Sequence, residues 1–140
     1  MQITITGCNY LKPSYMQVLK LKQLKYEVDT WKRSQAFKMD ANIYLKIRLS
    51  EISKDKFDAT LLEVAEDFQS NFVKEDNLIG LLRNYIAELD ELFGMEILEN
   101  GWILKEIDIK FKNLRNNIIT PERQFGKLEV DFNSYLLQKL

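Results

Sequence analysis

The sequence predicts an all-α protein: an elongated antiparallel helical bundle built on a long helical hairpin, with two shorter helices after it. Three observations carry this. Only two prolines and five glycines occur in 140 residues, and none lies between Pro13 and Gly80, a gap that strand-and-turn architectures would find hard to bridge. Apolar residues recur there in alternating steps of three and four, the helical spacing. The two longest such series also match each other when the chain is folded back on itself.

The first helix is expected over about 13–53. Its inward series is Leu21, Leu24, Val28, Trp31, Gln35, Lys38, Asn42, Leu45, Leu49 and Ile52. The second is expected over about 57–99, with Leu61, Ala65, Phe68, Phe72, Glu75, Ile79, Leu82, Ile86, Leu89 and Phe93 inward. Each series holds for more than four heptads, as in coiled-coil packing. Ser53-Lys54-Asp55 breaks them: Asp55 suits an N-cap, and Asp58 adds negative charge to the next first turn. So short a loop makes the helices antiparallel neighbours. Residue i then faces roughly residue 110 − i. In that register Leu49 meets Leu61, Leu45 meets Ala65, Trp31 meets Ile79 and Leu24 meets Ile86, and the polar intrusions Gln35, Lys38 and Asn42 fall beside Glu75.

The second helix is read as continuing to Asn100, with Gly101 as its left-handed cap. The rival is a β-hairpin, in which Asn100-Gly101 turns between Glu96–Glu99 and Trp102–Leu104. A third helix is expected over about 102–118, with Leu104, Ile107, Phe111, Leu114 and Ile118 in step. Thr120-Pro121-Glu122 then reads as a new start, with a capping threonine, proline at the first position and an acid after it. The fourth helix follows over about 121–139, turning Phe125, Leu128, Phe132, Tyr135 and Leu136 inward. These last two helices complete the bundle either as one kinked rod or as a folded-back pair. The whole chain, 1–140, reads as a single domain. Residues 1–12 form an extended or flexible N-terminal segment, in which Gln2–Thr6 alternates like a strand.

Composition excludes several classes of function. No histidine is present, which removes Ser-His-Asp and Cys-His catalysis, the usual zinc sites and the Glu-x-x-His di-iron motif. The single cysteine, Cys8, permits no intrachain disulfide and has no evident activating base. The start, MQITITGCNYLKP, lacks the basic residues and apolar run of a signal peptide. No apolar run is long enough to span a membrane. A cytoplasmic protein without a membrane partner is expected, with no catalytic residue, metal ligand or cofactor.

Charge is unevenly spread. Residues 1–56 hold 11 Lys/Arg and 5 Asp/Glu, residues 57–100 hold 2 and 11, and residues 101–140 hold 7 and 5. One reading of Lys20, Lys22, Lys25, Lys32, Arg33 and Lys38 is a nucleic-acid face. The plainer reading lays a basic first helix on an acidic second one, which neutralises that face from within and makes nucleic acid a poor partner. The clusters Glu63, Glu66, Asp67 and Glu88, Asp90, Glu91 are likewise read as solvated or paired surfaces rather than cation sites.

The Gln35–Lys38–Glu75 layer is the one internal polar feature. A buried Lys–Glu pair can serve as acid–base equipment; it can equally fix helix register at some cost in stability, or Lys38 can snorkel to solvent. The register reading is preferred. Trp31, Trp102 and the regularly spaced phenylalanines read as core. Tyr10, Tyr15, Tyr26 and Tyr44, with Phe37 and Ile47, form a second apolar face, to be covered by the later helices or by another subunit.

The pattern Glu27-x3-Trp31-x15-Ile47-Arg48-Leu49-x-Glu51-Ile52, then Ala65-Glu66-Asp67-Phe68-Gln69-x-Asn71-Phe72 and Leu81-Leu82-Arg83, resembles a family of small uncharacterised bacterial helical-hairpin proteins. Phe125, Phe132, Tyr135 and Leu136 extend the similarity toward the C-terminus. The resemblance implies an α-helical hairpin fold and no activity. The expected function is therefore that of a non-enzymatic, cytoplasmic interaction or scaffold protein that self-associates as a dimer. The alternatives are a small-ligand- or metal-binding bundle and, more weakly, a nucleic-acid accessory protein.

Overall fold

The computed structural model describes residues 15–54, 59–96 and 101–139. They form three long helices: α1 (Tyr15–Ser53), α2 (Ala59–Glu96) and α3 (Gly101–Lys139). No strand occurs among the described residues. The Asp55 cap, the N-terminal strand-like segment, Cys8 and residues 97–100 lie outside them. Trp102–Leu104 belong to the first turn of α3, so the β-hairpin alternative loses its second strand.

The expected pair of C-terminal helices is one. Pro121 lies inside α3 rather than at a helix start. Proline within a helix removes one backbone hydrogen bond and costs about 3 kcal/mol. What offsets it is the apolar series, which runs through the proline without losing step: Leu114, Ile118, Pro121, Phe125 and Phe132 are all buried. Ending the helix at Thr120 would break this seam. Thr120 is exposed and helical instead of capping.

The chain forms two compact units, each drawing on all three helices. The first comprises residues up to Arg33 together with Arg83–Asn117; the second comprises Ser34–Leu82 and Ile118–Leu140.

In the first unit Leu24, Val28, Leu89, Ile86, Ile107, Phe111 and Leu114 are buried. Trp31 stacks obliquely on Phe111, with ring centroids 4.9 Å apart. Charges flank this core. Lys25 and Lys32 both bind Asp90, joining α1 to α2. Lys20 pairs with Asp108 at 3.1 Å and Glu27 with Arg115 at 2.8 Å. The last two pairs share a numbering offset of 88, so α1 and α3 run parallel here. Asp90 is pushed up by burial, but hydrogen bonds from Lys25 and Lys32 outweigh this and hold it below the usual aspartate value.

In the second unit Leu45, Leu49, Phe72, Phe125, Phe132 and Leu136 make the core, with Ala41, Ile52, Ala65, Phe68, Leu128 and Tyr135 packed around it. Phe132 meets the edges of Phe68 and Phe72 at 5.1 and 5.2 Å between centroids, and Phe68 also reaches Tyr135 at 5.4 Å. Higher numbers on α3 meet lower numbers on α2, so those helices are antiparallel.

Every described member of the two expected inward series is buried or half-buried, and α1 packs closely on α2. Side-chain contacts are offset from the expected register, however. Asn42 reaches the Phe72 carbonyl and Lys46 reaches Asp76, pairs whose numbers add to 114 and 118–122 rather than 110 when Asn42–Asp76 is included. Helical side chains lean toward their own N-terminus. In an antiparallel pair both lean so as to raise this sum, and long lysines raise it further.

Candidate functional site

The three residues singled out in sequence, Gln35, Lys38 and Glu75, are all buried in the second unit, as is Asn42. They sit at inward positions of helices whose neighbouring layers are apolar, so the heptad spacing carries them into the core whatever their chemistry.

Their organising partner is Glu122 of α3. Its Oε1 accepts hydrogen bonds from Ser34 Oγ (3.1 Å) and Gln35 Nε2 (3.2 Å), and Lys38 Nζ lies 3.3 Å from the same oxygen. Lys38 is only 5% exposed; it does not snorkel. Glu122 is the residue that sequence reasoning missed, having assigned it to the first turn of a separate helix. Continuing the helix through Pro121 would have placed it next to the inward Pro121, at the margin of the seam.

Glu75 is placed differently. It forms no hydrogen bond or ion pair among the described residues. Its carboxyl is raised above the usual glutamate value, chiefly by burial, with Lys38 opposing and Glu122 reinforcing the shift. One ammonium therefore serves two carboxyls, and the one it touches is Glu122. Asn42 Nδ2 donates to the Phe72 carbonyl (2.9 Å) and to Asp76 Oδ1 (2.7 Å), and Asp76 also takes Lys46. The buried oxygens Gln35 Oε1 and Asn42 Oδ1 have no partner. Glu122 thus ties Ser34, Gln35 and Lys38 of α1 to α3, and Asp76 ties Asn42 and Lys46 of α1 to α2, along successive turns of α1.

The arrangement holds groups of the kind that do acid–base work. A small apolar hollow in this unit is lined by Leu49, Ile52, Leu61, Leu62, Ala65 and Tyr135 among others, and no layer residue reaches it. Among the described residues, no three acidic groups converge as a metal site would need.

Most of the basic face resolves into contacts, Arg33 donating to the Thr30 hydroxyl, while Lys22 stays exposed. Lys20, Lys25 and Lys32 are paired with Asp108 and Asp90, and Lys38 is internal. The second apolar face is not covered by α3: Tyr26 stays 63% exposed, Phe37 71%, Tyr44 62% and Ile47 53%. No described helix is long and apolar enough to cross a membrane. The chain matches no protein-family model, no curated protein and no solved structure.

Proposed function

We propose that this chain is a non-enzymatic, cytoplasmic interaction or scaffold protein that acts by binding protein surfaces, its own included. The observation that carries the reading is the division of labour on α1. Its inner face spends its ionisable and amide groups on holding α2 and α3. Its outer face in the second unit leaves Phe37, Tyr44 and Ile47 in water, where isolated apolar residues are ordinary but an aromatic stripe marks a contact surface. Sedimentation velocity over a wide concentration range tests this. A concentration-dependent rise in mass supports self-association, and a monomer throughout removes it.

A second reading, a ligand-binding bundle, draws support from the partnerless buried oxygens Gln35 Oε1 and Asn42 Oδ1. Elemental analysis of the purified protein finding stoichiometric metal would favour it over the first.

A further inference from the structure

We infer that the outer face of α1 pairs with the same face of a second copy, antiparallel, with residue i of one copy opposite residue 84 − i of the other. This rests on the self-association reading above and specifies its surface.

Phe37, Asp40, Tyr44 and Ile47 step three, four and three along one helix, the spacing of a second coiled-coil seam. All four are exposed, as are the small flanking residues Ala36 and Ser50. None of the four has a hydrogen bond, ion pair or ring contact among the described residues, so the bundle itself gives this seam no task.

The pattern is self-complementary in one direction only. Antiparallel pairing sets Phe37 against Ile47 and Asp40 against Tyr44, twice each about a two-fold axis, as an isologous contact requires. The Tyr44 hydroxyl then donates to the carboxylate of Asp40 of the second copy. Parallel pairing would stack Asp40 on Asp40, a like-charge contact that costs affinity. The apolar members are few: Phe37, Tyr44 and Ile47, with Ile43 (44% exposed) beside them. That places the contact in the class below about 1,200 Å² of buried surface, where association is weak and reversible. The dimer is expected at micromolar rather than nanomolar concentration.

The test has two arms. In sedimentation, the Phe37→Asp, Tyr44→Asp double variant should associate at least tenfold more weakly than the parent chain, with unchanged helical circular dichroism. In the second arm Cys8 is replaced by serine and single cysteines are introduced as Phe37→Cys or Ile47→Cys. Mixing the two variants under mild oxidation should give a cross-linked heterodimer, while either alone should cross-link poorly. A parent chain that is monomeric throughout overturns both the self-association reading and the seam. A parent dimer untouched by the double variant overturns the seam and leaves the reading. Efficient cross-linking of Phe37→Cys to itself overturns the antiparallel direction.

Discussion

The same three helices are joined by different means in the two units. In the first, the fully buried residues among those described are all apolar and the charges stand at their margin, where Asp90, Asp108 and Arg115 each reach a side chain of α1. In the second, a large aromatic cluster adjoins a layer in which Gln35, Lys38, Asn42 and Glu75 are buried. The difference teaches what each kind of contact is for. Apolar layers supply most of the stabilisation but are interchangeable, so a helix can slide by a heptad and find similar partners. A hydrogen-bonded polar layer contributes little net stability, yet a slipped register leaves its groups unpaired in the core, which is costly.

The contrast breaks if exchanging the two kinds of layer has the same effect in both units. Val28→Gln puts an amide into the apolar layer without a partner and should cost about 3 kcal/mol, while Gln35→Leu should change stability by less than about 1 kcal/mol. Urea unfolding of both variants measures this; equal losses would mean that the polar layer is as demanding as the apolar one. Lys38→Met removes the ammonium that faces both Glu75 and Glu122. Its expected cost is about 2 kcal/mol, below the range for fully buried pairs because Glu122 is partly solvated.

Acidity sharpens the comparison, because Asp90 in the first unit and Glu75 in the second titrate in opposite senses. Asp90 has a lowered value, so its contribution is present above the unfolded aspartate value and is lost as pH falls. Glu75 has a raised value, so its contribution is complete below the unfolded glutamate value and is lost as pH rises through the folded one. Glu75→Gln should therefore raise the melting temperature at neutral pH and leave it nearly unchanged near pH 4. Asp90→Asn should do its damage at neutral pH and little in acid. Melting scans across pH check both directions.

The smallest effect should be common to the two units. Gly80 in the second and Gly94 in the first are exposed helical positions where an added Cβ meets nothing within 4 Å. Alanine at either should add about 0.5–1 kcal/mol. Calorimetry showing a gain at one position only would reveal a difference in local order between the units.

The sequence by itself determined the helices and their inward faces. Val28, Phe72, Glu75 and Ile107 could be assigned to the interior because a helix of fixed pitch turns every third or fourth residue to one side, regardless of what lies there. It likewise determined that Gln35 and Lys38 would be drawn into the core with their apolar neighbours. Tertiary structure decided what local signals could not. Thr120-Pro121-Glu122 reads as a helix start at short range, but burial of Ile118, Pro121 and Phe125 on one continuous seam outweighs a single lost hydrogen bond and carries α3 through. That outcome brings Glu122 to Lys38 and leaves Glu75 without a bonded partner among the described residues, so the charge pairing inside the layer was set by the continuation of α3 through Pro121, far from Lys38 in sequence. It also decided that α3 packs on the inner seam, leaving Phe37 and Tyr44 exposed. Which of two apolar faces a third helix covers depends on the summed burial of all three helices, a quantity no single segment contains.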